Sequence, residues 1–64
     1  MIYQIQFENE KSEEVKSFFR DRDFDFKIFP KLNLNKKGLL LTIEGTEENI
    51  EKLISLMKDN DIHP

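Results

Sequence analysis

The chain has 64 residues and a net charge of −3, from 10 Lys and Arg against 13 Asp and Glu. This length predicts a single domain, residues 1–64, with a small core, because such a chain buries only about 60% of the surface that its unfolded form exposes. The absence of cysteine excludes disulfides, thiolate metal sites and thiol nucleophiles. No apolar run approaches the ~18 residues of a membrane span, and the first residues do not resemble a signal peptide, so we expect a cytoplasmic protein.

The first predicted elements are a strand and a helix. From Met1 to Glu8 apolar and polar residues alternate, which is typical of a strand with one buried face. Ser12 has the side chain of an N-cap, and the two glutamates behind it suit the positive end of a helix. Arg22 continues the apolar helix face, and we expect its stem to pack there rather than to form an anion site. The spacing of that face is i, i+3, i+4, and its residues are Val15, Phe18 and Phe19.

The best-specified stretch is Leu32–Ile43, in which two alternating apolar segments flank a polar break that ends in Gly38. A glycine can adopt a positive φ at little cost, as hairpin loops often need. One register places every apolar residue on the same face of the sheet, and a slip of one residue would turn one set to water. That register pairs Leu34 with Leu39, Leu32 with Leu41, and Pro30 with Ile43.

We expect the first strand of this hairpin to begin earlier, where Phe24, Phe26 and Ile28 alternate with other residues. Pro30 has no N–H to donate to a neighbouring strand, so it places this strand at a sheet edge or at a bulge. The third strand is predicted from about Leu39 to Glu44.

A second helix follows the third strand. Gly45 ends the strand, and Thr46 is the predicted N-cap. Lys58 lies in the last turn, where the helix dipole favours a cation, and Asn60 is predicted to end the helix in a left-handed conformation. Residues 61–64 leave room for only a stub of a fourth strand. The apolar face of this helix consists of Ile50, Leu53, Ile54, Leu56 and Met57.

The predicted order of elements is β-α-β-β-α with a short or vestigial fourth strand. This is the ferredoxin-like split β-α-β arrangement of α+β proteins, in which a right-handed crossover leaves a gap that the third strand fills. We therefore expect an antiparallel sheet in the order 4-1-3-2 with two helices on one face. The predicted core consists of Tyr3, Ile5, Phe7, Val15, Phe18, Phe19, Phe24, Phe26, Ile28, Leu39, Leu41, Ile43, Ile50, Leu53, Ile54 and Met57.

No group of residues predicts catalysis, a metal site or a cofactor. Asp21–Asp25 resembles the start of a calcium-binding loop, but Phe26 and Leu32 stand where the loop needs its glycine and its last glutamate. His63 is the only histidine and has no second metal ligand near it in the sequence. The two glycines are isolated, so no phosphate-binding loop exists. The sequence predicts that the protein is not an enzyme and holds no cofactor.

The same order of elements occurs in a common RNA-binding module, which stacks bases on aromatic residues of its central strands. Here the first strand presents Ile2, Gln4, Gln6 and Glu8 on the face away from the helices, and the third strand contains no aromatic residue. The net charge is negative, whereas nucleic-acid binders usually carry a basic face. We therefore expect no nucleic-acid partner.

The stretch GLLLTIEGTEENIEKLI, residues 38–54, resembles the second half of small ferredoxin-like regulatory domains. The families are the NIL domain of methionine transporters and, more distantly, ACT domains. In both, one glycine opens the third strand and another precedes the second helix, as Gly38 and Gly45 do here, and a K-x-x-x-I like Lys58–Ile62 leads into the last strand. The resemblance implies a domain that binds an amino acid or pairs through sheet edges. The short last strand departs from the family pattern.

Two functions are therefore hypotheses. The first is a non-catalytic regulatory protein that acts by protein–protein contact, a class that includes phage-type inhibitors of larger proteins. The alternative is a NIL- or ACT-like amino-acid sensor that works as a dimer, for which a small-molecule ligand is expected.

The sheet is the predicted place of contact with a protein partner or a second copy. The first strand has no proline or lysine that would block its edge. By parity Phe29 and Leu40 point away from the helices, and we expect them near one end of the sheet with Ile2 toward the other. Apolar residues on an otherwise polar face can anchor an interface. The predicted partner-binding residues are Phe29, Leu40, Ile2 and Gln4.

Overall fold

The computed structural model describes the whole chain, Met1 to Pro64, and has three strands and two α-helices. Their order is βαββα, with a single-turn 3₁₀-helix (Asn9–Lys11) after the first strand. The fold is α+β and is consistent with the ferredoxin-like split arrangement, as predicted. The elements are β1 (Ile2–Glu8), α1 (Ser12–Arg20), β2 (Phe29–Asn35), β3 (Gly38–Glu44) and α2 (Glu47–Asp59).

The sheet is antiparallel with the strand order β1-β3-β2. All three predicted hairpin pairs form: Leu34 with Leu39, Leu32 with Leu41, and Pro30 with Ile43. Because β1 and β2 are both antiparallel to β3, they run parallel to each other on its two sides. Residues 61–64 form no strand. The predicted order 4-1-3-2 is therefore observed without its fourth strand, and β1 is an outer strand of the sheet.

The core lies between the helices and the central strand. β3 contributes three apolar residues that are 0% exposed, and helices α1 and α2 contribute five apolar residues that are at most 7% exposed. Ile62 is 6% exposed and belongs to this cluster, although the sequence had suggested only a strand stub there. Tyr3, predicted as core, is 45% exposed because no strand covers the outer side of β1. The buried apolar residues are Phe7, Val15, Phe18, Leu39, Leu41, Ile43, Ile50, Leu53, Met57 and Ile62.

The prediction that the second strand begins near Phe24 is wrong. β2 starts at Phe29, and the preceding residues form bends rather than a strand. β3 is seven residues long and pairs over its whole length with β2, which leaves no partner for an earlier segment. Instead Phe24 and Phe26 are half-buried and pack on aromatic rings, with Phe24 centred 6.0 Å from both Phe18 and Phe19. These residues alternate because every second side chain of this irregular segment packs against the core.

The starts and ends of the two helices agree with their predictions at two of four points. Thr46 is the N-cap of α2, since its Oγ1 accepts the Asn49 N–H at 3.1 Å, as predicted. Ser12 is not a cap: the 3₁₀-turn carries the chain into α1, and the Ser12 hydroxyl is buried without a hydrogen-bond partner. The polar run Asp21–Asp23 predicts the end of the first helix, and α1 does end there: its last residue is Arg20 and its C-cap is Asp21. The left-handed residue after α2 is Asp61, with φ of 59°, and not Asn60.

A pair of substitutions tests the assignment of Thr46 as an N-cap and of Ser12 as a residue that caps no helix. Thr46→Ala removes the acceptor for an otherwise unpaired helix N–H and should lower the free energy of unfolding by about 1 kcal/mol. Ser12→Ala should leave stability unchanged or raise it slightly, because a buried hydroxyl without a partner is destabilising. Urea denaturation monitored by circular dichroism measures both. A loss at Ser12→Ala as large as that at Thr46→Ala would contradict the assignment of Ser12.

Candidate functional site

The outer edge of β1 presents unpaired main-chain groups. The Gly45 N–H donates to the Met1 carbonyl at 3.1 Å, so odd-numbered residues at this end of β1 direct their main-chain groups toward β3. Because the direction alternates along an antiparallel strand, the N–H and C=O groups of Ile2, Gln4 and Gln6 point away from the sheet. This row is what an added strand would bind.

Nothing in β1 blocks this edge, whereas the opposite edge of the sheet is interrupted. By the same alternation, the main-chain groups of Pro30 point outward from β2, and proline has no N–H to offer there. Lys31 adds a charge of the kind that discourages edge pairing. β1 contains neither residue type. The two edges therefore differ, and only β1 is suited to strand addition.

A groove of about 180 Å³ lies beside β1 on the helix side. It lies between the helix-side residues of β1 and the second half of α2, next to the edge at which a fourth strand would pair in the complete 4-1-3-2 sheet. Lys58 and His63 lie at its polar positions. The apolar residues that line it come from β1, α2 and the segment after α2: Tyr3, Ile5, Phe7, Ile54, Met57 and Ile62.

The segment after α2 turns into the core instead of pairing with β1. The Ile62 N–H donates to the Met57 carbonyl at 2.9 Å, and the Asp61 N–H donates to the Lys58 carbonyl at 3.0 Å. These two bonds and the left-handed Asp61 form a Schellman motif. Lys11 Nζ then donates to the His63 carbonyl at 2.8 Å. The turn buries Ile62 and leaves the edge of β1 without a strand.

The four residues predicted to bind a partner all belong to the sheet face away from the helices, but the predicted grouping is wrong. Phe29 and Ile2 both lie opposite Glu44 in the register, while Leu40 lies opposite Gln6 and Asn33. Phe29 and Ile2 therefore share one end of the sheet, since β1 and β2 are parallel. Leu40 is four residues along β3, about 13 Å away. No Phe29–Leu40 patch exists, and the partner-binding role of these residues stays a prediction.

The rest of this open face is polar and internally hydrogen-bonded. Gln6 and Asn35 exchange amide hydrogen bonds of 2.8 and 3.2 Å across β3, next to Gly38, which has no side chain to separate them. Gln4 Nε2 donates to Thr42 Oγ1 at 3.3 Å. The apolar exceptions are Phe29 and Ile2, which are 56% and 64% exposed, and the half-buried Leu40. The arrangement offers no row of aromatic residues on which bases could stack.

Other candidate groups of the sequence lie apart from the edge. The aspartates of Asp21–Asp25 are exposed, and no three His, Asp or Glu side chains come close enough together to hold a metal ion. Arg22 places its guanidinium carbon 4.7 Å from the centre of the Phe18 ring and donates to Asn60 Oδ1 at 3.2 Å, so its head group packs on the protein where the sequence predicts only a packed stem. Neither helix has the length and apolar character needed to cross a bilayer.

No protein-family model matches the chain, and no curated protein or solved structure is significantly similar to it. The resemblance to NIL and ACT domains is thus supported only at the level of a small α+β fold with a three-stranded antiparallel sheet.

Sequence reasoning found the free edge but missed the groove beside it. The edge could be predicted because β1 lacks the residues that block pairing. The groove depends on where Ile62 and the end of α2 lie relative to β1. The available signal was the K-x-x-x-I spacing, which puts an apolar residue immediately after the helix, where a Schellman motif buries it.

Proposed function

We propose that the protein is a cytoplasmic, non-catalytic binding module that recognises another protein by strand addition at the free edge of β1. One observation carries this proposal: an unblocked row of outward main-chain groups runs beside an apolar groove on the helix side. Strand addition combines these two features, because main-chain hydrogen bonds supply affinity and pockets for alternate side chains supply specificity. A small inhibitor of a larger protein could act in this way.

The incoming strand would have a simple pattern. Its main chain would pair with Ile2, Gln4 and Gln6, each bond contributing about 0.5–1.5 kcal/mol. Alternate side chains would enter the groove over Tyr3 and Ile5, so they should be apolar. The side chains between them would extend the polar open face of the sheet. A partner segment with alternating apolar and polar residues is therefore the expected ligand.

Gln4→Pro tests the proposal, because it removes an outward N–H and leaves the inward bonds of β1 to β3 in place. Gln4→Ala is the matched control, since it loses the same side chain but keeps the N–H. The probe is a set of displayed random peptides of about ten residues selected on the unaltered protein. Proline should weaken their binding by tenfold or more, and alanine should change it little.

Hydrogen exchange on the unaltered protein gives a second measurement that needs no variant. Bound peptides should slow exchange at the amides of Ile2, Gln4 and Gln6. Peptides that protect other amides, and that bind a folded Gln4→Pro variant normally, would rule out strand addition at this edge.

The alternative function, amino-acid sensing of the NIL or ACT type, would use the same groove. Lys58 could meet a carboxylate, and the apolar wall could hold a side chain. The groove volume of about 180 Å³ is below the roughly 300–1,000 Å³ of most small-molecule pockets, which favours strand addition. A thermal-shift screen with the standard amino acids separates the two, because a ligand that binds the native state raises the melting temperature.

A further inference from the structure

The flank of α2 beside the groove carries opposite charges at its two ends. Ile54 and Lys58 line the groove, and helical spacing places Glu51 and Glu47 on the same flank. The other flank faces the segment before β2, since Asn49 Nδ2 donates to the Lys27 carbonyl at 2.9 Å. The flank beside β1 is therefore acidic toward the start of α2 and basic toward its end.

These charges have no ion-pair partners within the chain. The ion pairs of the molecule join Lys16 with Glu13, Arg20 with Asp21, and Lys52 with Glu48. Glu47, Glu51 and Lys58 take part in none of them. A partner bound at this edge would lie beside acidic side chains near the start of α2 and a basic side chain near its end.

β1 is complementary to itself when two copies run antiparallel about Ile5. Outward-pointing Gln4 of one copy then pairs with Gln6 of the other, and Ile2 pairs with Glu8. On the helix side Tyr3 lies opposite Phe7. In this register odd-numbered residues pair with odd-numbered residues, so the apolar residues that line the groove stay on the helix side of the joined sheet. No two side chains of like charge lie directly opposite each other.

The same two-fold axis also brings the two α2 helices together in antiparallel orientation. Ile5 and Ile54 line the same groove, so an axis near Ile5 passes near Ile54. In such a pair of copies, Glu51 of one helix would lie beside Lys58 of the other around Ile54, and the reverse pair would form as well. A single two-fold axis would therefore pair the two main-chain edges, join the two apolar grooves and place the unpaired charges of each copy next to opposite charges of the other.

We infer that the strand added to β1 is the β1 of a second copy of this chain, giving a symmetric dimer with a six-stranded sheet. The inference rests on the proposed function, because it names the partner that uses the edge. The interface is isologous: each copy presents the same patch, as closed two-fold dimers require. The opposite charges on α2 set the antiparallel orientation.

Charge reversal tests this pairing. Glu51→Lys and Lys58→Glu should each weaken dimerisation by roughly tenfold or more, because each replaces two attractions with two repulsions. An equimolar mixture of the two variants should recover association, since each mixed dimer restores both opposite-charge contacts. Glu48→Lys, an exposed change on another side of α2, is the control and should leave dimerisation unchanged. Sedimentation equilibrium measures the mass, and thermal melts confirm that each variant is folded.

A chain that remains monomeric at millimolar concentration would overturn the inference, as would a dimer that neither single reversal weakens. The peptide experiment keeps this failure distinct from failure of the proposed function. If the unaltered chain is monomeric while selected peptides still protect the amides of Gln4 and Gln6, strand addition stands and the self-association fails. If the peptides also bind elsewhere, both fail.

Discussion

Leu41→Asp should leave the chain unfolded. Leu41 is 0% exposed at the middle of β3, where Ile5 and Leu32 pair with it from the two sides. A carboxylate there would have no partner, and burying such a group costs more than a small domain can offset, since a core of this size supplies only about 3–5 kcal/mol. Far-UV circular dichroism and a thermal melt should show no cooperative transition.

Leu40→Asp is the matched control for this substitution. It introduces the same side chain one residue earlier, on the open face between Gln6 and Asn33. Leu40 is only half-buried, so the carboxylate can reach water, and this variant should keep a cooperative melt. If Leu41→Asp melted near the temperature of the unaltered protein, the two faces of the sheet would have been assigned in reverse.

Gly38→Ala should be nearly as damaging, although it adds a single methyl group. Gly38 has φ of +137°, a region that residues with a Cβ rarely adopt. A Cβ there would lie 2.4 Å from the Phe7 carbonyl oxygen and 2.5 Å from the Asn9 nitrogen. These are main-chain atoms, so the clash can be relieved only by displacing the end of β1. We expect a loss of about 3 kcal/mol or more, measured by urea denaturation.

Gly45→Ala is the comparison that isolates this effect. A Cβ at Gly45 would meet the Cδ1 of Ile28 at 2.9 Å, which is the movable end of a side chain, and its φ lies outside the left-handed region. The loss should therefore be clearly smaller than at Gly38. Equal losses at both positions would show that the close approach of β1 to Gly38 is not the cause.

The hairpin register could be predicted from the sequence because its evidence is local. Leu32–Ile43 carries period-2 patterning on both sides of the break, and only one pairing puts the alternating apolar residues of both strands on one face, with Leu40 on the other. Thr46 was equally accessible, since an N-cap acts on an amide three residues away. The place of β2 at a sheet edge could be predicted because Pro30 has no N–H to donate to a neighbouring strand.

The errors arose where a residue needed a partner that the sequence does not name. Phe24 and Phe26 alternate like a strand but had no strand left to pair with. Ser12 has a capping side chain, but the preceding 3₁₀-turn keeps the chain helical at Lys11. The grouping of Phe29 with Leu40 disagrees with the predicted hairpin register itself, which puts Phe29 opposite Glu44, and only the place of Ile2 depends on the parallel relation of β1 and β2.

The candidate site was predictable only in part for the same reason. That β1 can accept another strand follows from its own composition, since it contains neither proline nor lysine. The groove and the charged flank of α2 are tertiary features, since they require Ile54 and Lys58 to lie beside Ile5. Spacing along α2 groups Glu51 with Lys58, but it does not say which side of the helix meets β1.

The position of β1 at the outside of the sheet has a consequence during protein synthesis. The nearest pairing of β1 with β3 joins Glu8 to Gly38, a separation of 38 − 8 = 30 residues. At about 5–20 residues per second, the ribosome needs roughly 2–6 s to make that stretch. Throughout this interval β1 has two free edges and an apolar face that includes Ile5 and Phe7. The nascent chain is then most exposed to wrong strand pairing, and a chaperone that shields the first residues should raise its yield.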